Sequence, residues 1–210
     1  MNGSFSARLM GGAAALGVRL DEQQLARMLD YVETLARWNR VWNLTAIRDP
    51  ADMLPRHLLD SLSVLPFLGG PAVADAGTGA GLPGIPLAIA APCLHFTLID
   101  ANGKKIRFVT HAIGRLGLDN VTAEQVRLEH YRPARGFDTV VCRAFSSLAK
   151  LLQAAGHLCA PDGRVVALKG LRPESEIDAL PQGWRVLGMH RIEVPGLDRE
   201  RHVIEIARNK

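Results

Sequence analysis

Three glycines at alternate positions, Gly77, Gly79 and Gly81, stand between Asp75 and the run Leu82-Pro83-Gly84. Glycine adopts positive φ freely and leaves no side chain between backbone and ligand, so this spacing builds a tight turn against which a small molecule can lie. A short apolar run, residues 72–76, precedes the turn, and helix-forming sequence follows from Pro83, a residue suited to a helix's first turn. Strand, glycine turn and helix together form a ligand crevice at the carboxyl edge of a parallel sheet. Two ligands compete for it. Residues 79–84 match the GxGxxG of dinucleotide sites, but the match begins several residues after the strand, with Asp75 beside it. A carboxylate there repels a pyrophosphate and attracts a cationic amino-acid moiety. The DxGxGxG pattern therefore points to S-adenosylmethionine, which carries an ammonium and a sulfonium and no phosphate. A nicotinamide dinucleotide stays as the alternative.

Other residues could act around such a turn. Asp100 ends the second apolar run and can accept hydrogen bonds from both hydroxyls of a ribose; its other reading is a cap for the helix near Lys104. After the fourth run stands Cys142-Arg143-Ala144-Phe145, where amino-methylating enzymes often carry Asn/Asp-Pro-Pro-Tyr. Arg143 is a candidate anchor for cofactor or substrate, with an internal ion pair as the plainer reading. Phe145 is either a stacking surface for a base or core packing. Lys169 ends the fifth run on the same edge, as a phosphate or base contact or simply a solvated cation. Arg56, His57 and Asp60 share a helix, with His57 and Asp60 three apart and on one face. A catalytic or metal pair is one reading; a packed polar contact between the N-terminal region and the sheet is favoured. Arg199, Arg201 and His202 form a small basic cluster, a solvated edge or an RNA contact. Pro92-Cys93 has the order of a cytosine-C5 nucleophile but falls at the wrong end of the sheet, so Cys93 reads as a buried structural thiol. The histidines are scattered singly, and no metal site is expected.

The elements that position these residues follow from periodicity. Asp21 and Gln24 make a capping box for a helix with apolar residues at 25, 28, 29, 32, 35 and 36, ending near Trp38-Asn39. Asp49-Pro50 opens another helical region, and Pro55 starts a fresh helix through Leu65. From residue 72, apolar runs at 72–76, 94–99, 121–125, 137–142 and 164–168 alternate with helical patterns at 83–91, 104–116 and 147–159. That alternation predicts a mostly parallel sheet with helices on both faces. A helix at 173–180 and runs at 184–194 and 202–207 follow; only about seven residues separate the last two runs, so they form an antiparallel pair at the sheet edge. The expected fold is α/β and Rossmann-like, with a helical N-terminal extension over 1–66 and the sheet unit over 67–210 as one compact body.

Bulk properties narrow the class. The chain has 210 residues, 48% of them hydrophobic and 22% charged, as in ordinary soluble domains. Three cysteines without a CxxC spacing fit a reducing, cytoplasmic setting, and no apolar stretch is long enough to span a bilayer. Residues 7–18 read as a loosely held first helix rather than an export signal. A net charge of +4 is compatible with a nucleic-acid substrate, but the basic residues are too scattered along the sequence to outline a footprint.

Several segments together carry a resemblance: Trp38-Asn39, Asn43-Leu44-Thr45, Arg56-His57-Leu58-Leu59-Asp60-Ser61, the stretch from Asp75 to Leu87 with its GLPGIPL, Arg143-Ala144-Phe145 and Ala167-Leu168-Lys169-Gly170. In this order they resemble the bacterial 16S ribosomal RNA guanine-N7 methyltransferase family, also called the glucose-inhibited division protein B family. The resemblance implies a class I S-adenosylmethionine-dependent methyltransferase acting on the guanine at position 527 of the small-subunit RNA, naked or in the particle; the chain itself is expected to be a cytoplasmic monomer. It further implies cofactor contacts at Gly77, Leu82, Leu128, Glu129 and Arg143, with Asp100 joining them on its own position. Lys169, His57 and Arg56 are the candidates on the substrate side. Ala80 stands where many members have proline, and Cys142 where others have serine. Guanine N7 has a free lone pair and no proton to lose, so no general base is expected. A different methyl acceptor, a dinucleotide-dependent oxidoreductase and an inactive ribosome-assembly binder are the competing functions.

Overall fold

The structure, a computed structural model, describes residues 3–209. Helix α1 (Gly3–Ala15) buries Leu9 and Ala13. Its Gly12 lies so close to Leu59 that a Cβ there would sit 2.5 Å from the leucine Cδ1. The first segment is therefore a docked helix and not a loosely held one, because glycine lets the backbone approach where a side chain would hold it off. Asp21 caps α2 (Glu22–Trp42) through the reciprocal pair foreseen: its carboxylate accepts from Gln24 N at 2.7 Å, and Gln24 Oε1 accepts from Asp21 N at 2.9 Å. The helix runs a turn beyond Asn39. Asn43 stops it by adopting the left-handed conformation at φ 50°, and Asn39 turns inward to clamp the following loop, accepting from Thr45 N and donating to Ile47 O.

Pro55 does not begin a fresh helix. Helix α3 (Pro50–Met53), a π-helical stretch (Leu54–Leu59) and α4 (Asp60–Leu62) follow one another without a break. In the wide turn the Asp60 N–H reaches back to the Pro55 carbonyl, five residues away, so the widened coil absorbs the proline instead of stopping at it.

The sheet comprises β1 (Ala72–Ala76), β2 (His95–Asp100), β3 (Val121–Gln125), β4 (Phe137–Arg143), β5 (Cys159–Lys169), β6 (Trp184–Ile192) and β7 (Arg201–Arg208), in the order β3-β2-β1-β4-β5-β7-β6. The first five pair in parallel, while β7 runs antiparallel to both β5 and β6, as the short connection required. Helices α5 (Gly84–Ala90), α6 (Gly103–Leu116), α7 (Leu148–Ala155) and α8 (Glu174–Asp178) fill the connections. Strand β5 starts earlier than periodicity implied, at Cys159, because a register shift between Phe137 and Thr139 accommodates the Pro161-Asp162-Gly163 interruption.

Two hydrophobic cores flank the sheet. One unites Leu9, Met28, Leu35, Leu58 and Leu62 with Ile85, Phe108 and Val141. The other packs α7 through Leu148, Leu151 and Leu152 on Val140, Val165 and Ile204. Strand order reverses between β1 and β4, so the loops leaving those two strands open at the switch point where such sheets bind ligands.

Candidate functional site

The turn after β1 is held from beneath. Asp75 is fully buried, and its Oδ2 accepts from Thr78 Oγ1 at 2.6 Å and from Gly84 N at 2.8 Å. Its Oδ1 has no hydrogen-bond partner among the described residues. Desolvation pushes this carboxyl up to about 6, opposed by the Thr78 and Gly84 bonds and the Arg143 charge. Gly84 must be glycine: a Cβ there would meet Asp75 Oδ2 at 2.7 Å. Asp75 therefore supports the turn from below, where sequence alone placed it beside the ligand.

Gly77, Gly79 and Gly81 all take positive φ, as their spacing required. The turn's amides are largely committed. Gly77 N and Thr78 N donate to Ile99 O, Gly79 N to Asp100 Oδ2 at 2.9 Å, Gly81 N and Leu82 N to Thr78 O, and Ile85 N to Gly81 O. Pro83, which precedes α5 rather than opening it, has no N–H to offer. A phosphate cradle needs convergent free amides, and this turn does not present them. The Tyr31 hydroxyl, on the fully buried face of α2, donates to Ala80 O at 2.7 Å and anchors the outer limb. Tyr31 lay inside an apolar helical stripe, and its only sequence signal was a hydroxyl among aliphatic side chains.

Asp100 Oδ1 also accepts from Asn102 N at 2.8 Å, and Lys105 Nζ lies 3.7 Å from Oδ2. The cap of α6 is Asn102, so the capping alternative for Asp100 falls. Leu82 points into the core, leaving backbone as its face toward a ligand. Leu128 is buried in the opposite core, while Glu129 is exposed in a hollow shared with Phe145, Ser146 and Lys150.

A second set of candidates converges. Arg56, His57, Arg143 and Lys169, with Phe145 and Arg201, line one cleft of about 360 Å³ beside the β4 and β5 ends. Asp60 organises it. This nearly inaccessible carboxylate accepts from Arg201 Nε at 2.6 Å and Arg143 Nη1 at 3.2 Å, and Arg143 also donates to Arg56 O at 3.2 Å. Asp60 thus joins the helical region to β4 and β7, while His57 turns elsewhere. Its Nε2 lies 3.0 Å from Thr45 Oγ1 and its Nδ1 3.0 Å from Arg56 O. Burial and the Arg143 charge hold His57 down to about 4, so it is neutral, donating from Nδ1 and accepting the Thr45 hydroxyl at Nε2. No His57–Asp60 dyad forms, because the π turn changes the spacing that would have stacked them.

Lys169 is not a solvated cation. It donates to Phe145 O at 3.2 Å and pairs with Glu176 at 2.7 Å, and Glu176 also accepts from Leu148 N. Phe145 links the two regions: its ring is 3.4 Å from where a Gly77 Cβ would be, and it lines the basic cleft. The preceding Ala144 adopts φ 67°, uncommon for a residue with a Cβ and a mark of local strain at this corner. Within the basic cluster, Arg201 serves Asp60 and His202 is buried, with Nδ1 3.3 Å from Gly170 O. Cys142 is buried and its thiol is pushed up by desolvation, which removes it as a nucleophile. Cys93 is exposed rather than buried, in the turn before β2 at the edge away from the site.

This strand order, with the glycine turn at the switch point, is the fold of class I methyltransferases. The glycopeptide N-methyltransferase MtfA complexed with S-adenosyl-L-methionine superposes with a TM-score of 0.63 at 10% identity, covering 73% of this chain and 94% of that one. TrmN from Thermus thermophilus superposes at 0.56 with 21% identity, over 74% and 53% of the two chains. The family model described as GidB, rRNA small subunit methyltransferase G, matches residues 24–204. Ribosomal RNA small subunit methyltransferase G of Methylococcus capsulatus is 50% identical over 93% of this chain and 95% of its own length; that of Hahella chejuensis is 46% identical over 96% and 93%. The chain belongs to the GidB family of small-subunit rRNA methyltransferases.

Proposed function

We propose that the chain transfers the methyl group of S-adenosylmethionine to N7 of one guanine in 16S ribosomal RNA, the base implied by the family resemblance. The observation that carries the cofactor half is the occupancy of the turn. Its amides donate to protein oxygens, and two carboxylates, Asp75 and Asp100, lie against it. Such a turn repels a pyrophosphate and suits a cationic ligand without phosphate. When bound, S-adenosylmethionine supplies a methyl activated by a sulfonium. Gly77 and the Leu82 backbone would face it at the turn, Asp100 its ribose, Leu128 and Glu129 its adenine, and Arg143 its carboxylate or the base.

The chain's remaining task is positioning and electrostatics. Among the described residues, the cleft contains no group poised to take a proton. His57 is neutral with both nitrogens engaged, and Asp60 is held by two arginines. That inventory suits an acceptor nitrogen with a free lone pair. Arg56 and Arg143 face the cleft as candidate contacts for O6 or a phosphate. His57 and Lys169 act through their neighbours, His57 fixing the 45–47 loop and Lys169 the Phe145 corner.

Transfer of labelled methyl to undermethylated small subunits, and to protein-free 16S RNA, tests the reading, with digestion and mass mapping of the product. A single 7-methylguanosine at position 527 is expected. Methyl at another site, no transfer, or binding of NADH in place of S-adenosylhomocysteine would overturn it.

A further inference from the structure

Several basic residues far apart in sequence meet beside one indole. Trp42 closes α2, and α6 begins beside it. Lys104 Nζ lies 5.7 Å, and the Arg107 guanidinium carbon 5.8 Å, from the Trp42 ring centre. Trp38 stacks on Trp42 at 6.3 Å and faces His111 at 5.0 Å. Arg37, Arg40, Lys104, Arg107 and His111 are all exposed, and Val41 beside the indole is 74% exposed. No Asp or Glu occurs between Leu35 and Trp42 or anywhere in α6.

One feature of this patch works against the stability of the fold. Lys104 and Lys105 occupy the first turn of α6, where the helix dipole favours anions and disfavours cations. Lys105 is compensated by Asp100, whereas among the described residues Lys104 has the indole face alone. An aromatic surface held among cations at such a position marks a place where a ligand supplies the missing negative charge. The patch also adjoins the cofactor turn directly: Lys105 Nζ is 3.7 Å from the Asp100 oxygen that accepts the Gly79 N–H.

We infer that Trp42, Lys104 and Arg107 form a docking platform for an unpaired RNA strand flanking the modified base. This rests on the proposed RNA substrate and assigns it a second contact surface, separate from the basic cleft. Phosphates would pair with Lys104, Arg107 and the exposed arginines of α2, and an unstacked base would lie on or beside Trp42. Aromatic faces among cations are the common means of holding single-stranded RNA without reading its sequence.

The full chain carrying Lys104→Glu and Arg107→Glu tests this, since both side chains are exposed and the fold does not depend on them. Binding of protein-free 16S RNA, followed by fluorescence anisotropy over a salt series, should weaken at least tenfold, and the salt slope should fall by about 1.4, as expected for two lost phosphate contacts on a single strand. Trp42→Ala should weaken binding about tenfold, and Trp42→Phe should recover most of it. S-adenosylhomocysteine affinity by calorimetry should stay at the wild-type value throughout. Unchanged RNA affinity and slope in the double variant would overturn the platform. So would a defect seen only on assembled particles, which would assign the patch to a ribosomal protein. If the wild-type chain itself neither binds nor methylates RNA, the proposed function has failed and the platform falls with it; an active wild type with indifferent variants fails the platform alone.

Discussion

Two buried titratable groups within the site move in opposite directions, and both shifts arise from losing water. Asp75 is raised to about 6 from 3.8, and His57 is lowered to about 4 from 6.5. As pH falls from about 6.5 to about 4, the unfolded chain protonates His57 while the folded chain resists, so this residue removes stability. Over nearly the same interval the folded chain accepts a proton on Asp75 that the unfolded chain refuses, so Asp75 adds stability as pH falls. The two terms offset one another. Asp75→Asn keeps an oxygen for Thr78 and Gly84 and deletes only the titration. Its urea midpoint should therefore drop further than wild type between pH 7 and pH 4.5, and parallel drops in the two proteins would show that Asp75 ionises normally. The glycine pattern made the turn legible in sequence, because positive φ is written in residue type. The orientation of Asp75 was not legible, since a carboxylate under a loop and one facing a ligand have the same spacing.

At the scale of elements, local patterns read well and long-range partners did not. The capping box at Asp21, the strand-helix alternation and the antiparallel final pair are all set by neighbours in sequence, and they formed as expected. The continuous turn through Pro55 was hidden, because a proline inside an apolar run normally signals a new helix. The Asp60 bridge was hidden more deeply, since its partners lie 83 and 141 residues away. That bridge ties the π-helical region to the ends of β4 and β7, and its carboxylate is almost wholly desolvated. Removing its charge leaves Arg143 and Arg201 facing each other without a counter-ion, and disrupting such a pair costs about 3 kcal/mol. Asp60→Asn should accordingly lower the urea midpoint by that equivalent and reduce methyl transfer, whereas Glu174→Gln, at an exposed pair, should change neither. A midpoint within error of wild type would show that the bridge is not a structural tie.

For the whole molecule, the question is whether the N-terminal helices are an addition or a part of the fold. Composition and periodicity divided the chain near residue 66, because helical spacing gives way there to alternating runs. Packing crosses that line. Leu9, Met28, Tyr31, Leu35, Leu58 and Leu62 share one core with Ile85, Phe108 and Val141, and Tyr31 and Asp60 reach the glycine turn and the strand ends. A fully buried leucine contributes about 2–5 kcal/mol, and in a chain of this size each kcal/mol is about 2–4 °C in Tm. Deleting residues 1–17 removes Leu9 and Ala13 and uncovers Leu59, so Tm should fall by about 5–15 °C while a single cooperative transition is kept. Starting the chain at residue 67 leaves α5 and α6 but removes the part of that core supplied by Leu9, Met28, Leu35, Leu58 and Leu62, together with the Tyr31 anchor of the glycine turn. That shorter chain should show no cooperative thermal transition and no calorimetric binding of S-adenosylhomocysteine. A sharp transition in it would mean that the sheet with its own helices is a self-sufficient unit, and that the N-terminal helices serve the substrate rather than the fold.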